Sequence, residues 1–116
     1  MNGEGCAVPV PKKLMQALRE RDGDVCAFTG VESDRLVPHH RANRGAGGYK
    51  AGDRLSNLVL VDSIVNGRFE HDLQKRAQLL GFKISRYSDP EAVSLFHKVH
   101  GWVLLKDDGS MVMLDE

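Results

Sequence analysis

Two adjacent histidines, His39 and His40, close the run Val37-Pro38-His39-His40, and asparagines follow at positions 57 and 66. A neutral imidazole takes up a proton near neutral pH and also ligates divalent metals. Neighbouring residues of a strand point to opposite faces, so one histidine can face a metal while the other faces a substrate. The same stretch is basic. Residues 35–54 hold Arg35, Arg41, Arg44, Lys50 and Arg54 against Asp53 alone, a net charge of +4. A basic cluster beside a histidine pair points to an anionic ligand such as phosphate. Each residue also has an ordinary structural use: asparagines cap and end helices, histidines stand on surfaces, and charged loops are solvated.

The chain that must position these groups has 116 residues, enough for one domain. Its 41% hydrophobic and 28% charged residues are a globular mix, not a disordered one. No apolar run nears the roughly 20 residues of a membrane span, and no secretory pattern opens the sequence, which reads as cytoplasmic. The formal net charge is zero, which weighs against a protein that coats nucleic acid by bulk charge. That zero contains the basic loop and an acidic tail, where Lys106 stands against Asp107, Asp108, Asp115 and Glu116. Two cysteines, Cys6 and Cys26, cannot form an all-cysteine zinc site and read as free thiols.

Residues 1–10 read as a flexible arm. A helix is expected from Pro11, with Leu14, Ala17 and Leu18 on one face and Asp22-Gly23-Asp24 ending it. Residues 25–40 read as two short strands that finish on the histidine pair. A polar loop with four glycines covers 41–56, and loops this long in a small domain are usually functional or disordered. Ser56 is expected to cap a helix running to Asn66, and a second helix to follow to Gly81 with Phe69, Leu73, Ala77 and Leu80 as its apolar stripe. A strand over 82–87, a short helix after Asp89-Pro90, and a hairpin turning at Asp108-Gly109 complete the chain. Trp102 reads as packing, and His97 and His100 lack a third ligand nearby. Val25, Phe28, Leu58, Leu60, Val61 and Ile64 are the expected core.

Taken together, the helix, the Cys26 turn, the His39-His40 pair, the glycine-bearing loop, Asn57-Leu58 and Asn66 resemble the HNH endonuclease family, the ββα-metal nucleases. More narrowly, "HHR…RGAGG…SNLVL" and "GF…DP…HGWVLLKDDG" look like small HNH proteins of actinobacterial phages. The resemblance runs from about Arg19 to Gly109. It implies an α+β fold: a ββα-metal (His-Me finger) core with flanking helices and a C-terminal β-hairpin, as one nuclease domain over 11–116. It implies a metal-dependent endonuclease that hydrolyses DNA phosphodiester bonds by nicking or double-strand cutting, with weak sequence preference. His40 matches the general base and His39 the first metal ligand. Asn57 matches the residue that holds the loop and the base in place, and Asn66 the last metal ligand.

One divalent ion is then expected, with Mg²⁺ favoured because it tolerates few protein ligands, and Mn²⁺, Ni²⁺ or Zn²⁺ acceptable to His39. Glu70, one helical turn after Asn66, and His71 are candidates for an extra ligand. Arg41, Arg44, Lys50 and Arg54 would touch the DNA backbone, which positions without reading sequence. Many members carry two CxxC pairs around a structural zinc. The matching positions here are Cys26, Thr29, Asp62 and Val65, so no structural zinc is expected. DNA is the implied partner, together with a homodimer for paired cuts and phage packaging or recombination proteins, in the host cytoplasm and without a membrane. His39 where a carboxylate often stands, and Asn66 where a histidine often stands, leave a second reading: a catalytically weak module on the HNH scaffold that binds nucleic acid or protein.

Overall fold

The protein is described by a computed structural model, which covers residues 10–42 and 53–114. The expectations for the first nine residues and for 43–52, including Arg44 and Lys50, lie outside the described residues.

Helix α1, Lys12–Asp22, starts after Pro11, whose carbonyl accepts from the Leu14 and Met15 amides, and stops at Gly23 with φ +76°. Its apolar face places Leu14 and Leu18 against Leu55, Leu58 and Leu60. A tight turn follows, with Val25 bridged to Glu32 and the Gly30 amide bonded to the Cys26 carbonyl. Strand β1, Leu36–His40, then pairs antiparallel with β2, Leu58–Asp62, in the register Leu36↔Asp62 to His40↔Leu58. A 3₁₀ turn, Leu55–Asn57, leads into β2, and α2, Ser63–Arg68, leaves it directly. Asp62 caps α2 by accepting from the Ile64 amide at 2.8 Å. Helix α3, Gln74–Leu79, comes next, and a second antiparallel sheet of β3 (Leu95–His97), β4 (Gly101–Leu105) and β5 (Met111–Met113) closes the chain. The architecture is α+β, and no helix among the described residues is long and apolar enough to cross a membrane.

Strand β2 stands where the sequence predicts a continuous helix from Ser56 to Asn66. All five of its residues are buried. Leu58 and Leu60 face α1, while Val59 and Val61 face a core of Cys26, Ala27, Phe69, Phe82, Leu95, Val103 and Leu105. A strand buried on both faces reads as an unbroken apolar run, which periodicity cannot separate from a buried helix. Of the expected core, Leu58, Leu60 and Val61 are fully buried, whereas Ile64 is exposed on α2. The second expected helix is split: turns fill 69–73 and only 74–79 is helical. Residues 82–87 form no strand beyond a bridge from Ile84 to Ala42, and 89–100 form turns and β3 in place of a helix. The Asp108-Gly109 hairpin forms as expected, with β3 as its third strand.

Polar groups tie these layers together from inside. Arg21 donates to the Leu55 and Leu58 carbonyls and to Asp22, and Asp22 accepts from the Leu60 amide, so the end of α1 is fixed to β2. His97 is fully buried on β3. Its Nδ1 accepts from the Val99 amide, so the ring proton sits on Nε2, which makes no hydrogen bond among the described residues and lies 3.9 Å from Asp22 Oδ1. Burial lowers its pKa from 6.5 to about 4. The unfolded chain therefore binds the extra proton between those two values. The stabilisation is complete above about pH 6.5 and is lost as pH falls toward 4, at about 1.4 kcal/mol per pH unit. Urea unfolding at a series of pH values should show this slope added to a like one from His39, whose burial also lowers its pKa to about 4, and His97→Gln should remove about half of the total. An unchanged slope in the variant would contradict the assignment.

Candidate active site

The run from β1 through β2 to α2 brings His39, His40, Asn57 and Asn66 into one neighbourhood. His39 and His40 end β1 on opposite faces. His39 points inward, 7% exposed, with its ring edge-on to Phe69 at 4.8 Å between centroids. Its Nε2 meets the Phe82 carbonyl, and its Nδ1 lies 2.8 Å from Asn66 Oδ1 on α2. Burial pushes the His39 pKa down to about 4, so the ring is neutral at pH 7.

That neutrality fixes the chemistry of the pair. The Phe82 carbonyl can only accept, so Nε2 carries the ring proton and Nδ1 presents a lone pair. Facing it is an amide oxygen, also a lone-pair donor. Two such atoms are held together either by a turned amide or by a cation between them. Adjacent ligands on an octahedral ion with bonds of about 2.1 Å sit about 3 Å apart. The 2.8 Å separation and the nitrogen–oxygen donor set therefore fit a small divalent ion. Among the described residues no group of three His, Cys, Asp or Glu side chains is arranged to hold a metal, so the protein ligands here would be His39 and the Asn66 amide. Glu70 is bound to Lys83 at 2.8 Å, and that hydrogen bond holds its carboxyl below the usual range. His71 is exposed.

His40 lies on the other face, with its Nε2 2.7 Å from Asp53 Oδ1 and both side chains largely shielded. Asn57, 1% exposed, clamps the chain just beyond the histidines. Its Oδ1 accepts from the Ala42 amide at 2.8 Å, its Nδ2 donates to the Ala42 carbonyl, and its own carbonyl accepts from the Arg41 amide. Asn57 makes these bonds from the 3₁₀ turn before β2 and not from a helix start.

The basic residues divide. Arg41 is not at the surface: it is 1% exposed, and its guanidinium donates to the carbonyls of Gly81, Ser56, Pro90 and Val93 at 2.7–3.0 Å. A side chain enclosed by four acceptors cannot reach a DNA backbone, so its expected phosphate contact is replaced by an interior one. Burial lowers its pKa to about 10, which leaves it charged at pH 7. Gly81 completes this socket at φ +84°, where an added Cβ would run into the Ser94 carbonyl. Arg54 stays 40% exposed but is held by Asp107 at 2.7 Å, and that hydrogen bond raises its pKa.

Cys26, Thr29, Asp62 and Val65, the positions matched to zinc ligands, line one cavity of about 430 Å³ together with Arg35 and Ser33. Asp62 is hydrogen-bonded there by Ser33 and Arg35.

No family model matches the chain, and no curated protein or solved structure is significantly similar to it. The site therefore rests on its own geometry. Sequence reasoning missed Asp53 and the Phe82 carbonyl. Asp53 carried one signal, as the lone acid in an otherwise basic loop. The carbonyl carried none, because any residue supplies one.

Proposed function

We propose that this chain is a divalent-metal-dependent endonuclease that hydrolyses DNA phosphodiester bonds on a ββα-metal core made of β1, β2 and α2. The observation that carries the reading is the 2.8 Å approach of His39 Nδ1 to the side-chain amide of Asn66 across the strand pair and its helix, a spacing that two ligands of one small ion can share, with a second histidine on the opposite face. Antiparallel pairing of Leu36–His40 with Leu58–Asp62, followed at once by α2, supports it. So does the grouping of the four zinc-matched positions around one cavity.

In this reading His39 and Asn66 hold one divalent ion, Mg²⁺ by preference, which when bound neutralises charge building on the phosphate and the leaving 3′ oxygen. His40 takes the proton from the attacking water. Asn57 keeps the backbone of the histidine pair at its distance from α2. Arg54, with Arg44 and Lys50 of the loop, contacts the DNA backbone and confers little sequence preference. Nicking needs one protomer, and paired cuts would need two.

Supercoiled plasmid incubated with the protein and Mg²⁺, Mn²⁺, Ni²⁺ or Zn²⁺ tests this. Open circles or linear DNA with at least one metal, and none with EDTA, are expected. Intact plasmid with all four metals would overturn the enzyme reading and leave the alternative, a binding module on the same scaffold.

A further inference from the structure

The loop between α3 and β3 stands with both feet on Arg41, the residue that follows the histidine pair. At its start the Ile84 amide donates to the Arg41 carbonyl at 3.0 Å, beside the bridge from Ile84 to Ala42. At its end the Pro90 carbonyl accepts from the Arg41 guanidinium, also at 3.0 Å. Between the feet Ser85 closes a tight turn. Its carbonyl accepts from the Ser88 amide at 3.0 Å and its hydroxyl from the Tyr87 amide at 3.1 Å. Tyr87 stands at the tip, 90% exposed, with the Arg86 guanidinium 5.9 Å from its ring centroid. A large aromatic ring is therefore held in water by an anchored turn, with a cation beside it.

We infer that Tyr87 is a specificity-determining residue that stacks on an unpaired base, so that single-stranded or locally opened DNA is preferred to intact duplex. As a statement about substrate this rests on the nuclease reading above. Every base has a face on which an aromatic ring can stack, so such a contact is tolerant of sequence. In closed duplex that face is taken by the neighbouring bases, and only an extruded or unpaired base offers it. Reach supports the placement. Three residues carry the chain no more than about 11 Å from Ile84, a distance that a DNA strand covers in about three nucleotides. A strand bound at the histidine pair thus passes the tip. Charge agrees: Arg86 suits a phosphate backbone, and Asp89, the acid of residues 84–90, lies 3.9 Å from Arg54.

The test is a fluorescence anisotropy titration in EDTA, which leaves DNA uncut. One labelled oligonucleotide is used, first as a single strand and then annealed as a duplex. Wild type should bind the single strand more tightly. Tyr87→Ala should weaken single-strand binding about tenfold and leave duplex binding within about twofold, while Tyr87→Phe, which keeps the ring, matches wild type. The side chain is almost wholly in water, so circular dichroism of the alanine variant should be unchanged. Equal wild-type affinities for the two forms would overturn the inference. So would an alanine variant that binds the single strand like wild type, or one that loses both forms equally. DNA left intact with every metal would instead overturn the nuclease reading, and the metal-free titration would still decide the stacking role of Tyr87.

Discussion

Arg41→Met is expected to destabilise the protein by at least about 3–5 kcal/mol, the range for removing one partner from a buried charged network. The arginine is almost completely enclosed, and its guanidinium satisfies carbonyls from four places in the chain: Ser56 before β2, Gly81 after α3, and Pro90 and Val93 before β3. Methionine fills much of the same volume but donates nothing. Each stranded carbonyl then keeps its desolvation cost, of the order of 1–3 kcal/mol where water cannot enter. Domains of this size have about 5–15 kcal/mol in total, so the variant should be marginal or unfolded at 25 °C. The control is Arg54→Met. Its ion pair with Asp107 is solvent-exposed on both sides and should cost no more than about 1 kcal/mol. Urea unfolding followed by far-ultraviolet circular dichroism compares them. An Arg41→Met midpoint equal to that of Arg54→Met would contradict the interior role.

His40→Ala should leave the fold intact and lower the nicking rate by about 10²–10⁴-fold, the usual contribution of a general base. The side chain sits at the end of β1 on the face away from His39, so its loss opens no gap in the core around Phe69 and Phe82. Metal affinity should stay within about twofold of wild type, because His39 and Asn66 are untouched. Single-turnover cleavage and Mn²⁺ binding, measured on the same preparation, check both halves. A variant that nicks at the wild-type rate removes His40 from the mechanism. One that loses metal affinity along with rate makes it a ligand instead of a base.

Much of the candidate site was legible because its residue types are rare and chemically marked. Two adjacent histidines and two asparagines at fixed spacing can be read off a sequence, and the fold brings His39 to Asn66 and puts Asn57 beside the histidine pair. The elements carrying them were harder to read. Leu58–Asp62 is apolar on both faces, so only its partner β1 makes it a strand. Residues 89–100 have a good cap and proline for a helix, yet Leu95–His97 is drawn into a sheet by β4. Here tertiary pairing outweighs local propensity. Arg41 shows the limit most sharply. From sequence it is one of five cations in a basic loop, and nothing in its neighbours says that four carbonyls, the farthest 52 residues away, enclose it. With Arg41 enclosed, less than the net +4 of residues 35–54 is available to a ligand.

In the proposed mechanism one divalent ion, held between β1 and α2, is required for cleavage. This requirement is tested most directly by titrating Mn²⁺ against the nicking rate of wild type and of Asn66→Ala. Asn66 is half-buried on a helix, where alanine is well tolerated, so loss of fold does not confuse the result. Loss of one ligand should move the midpoint to at least about tenfold higher metal concentration, the scale seen even when outer-shell partners are removed. An unchanged midpoint, or nicking that persists in EDTA, would contradict the account.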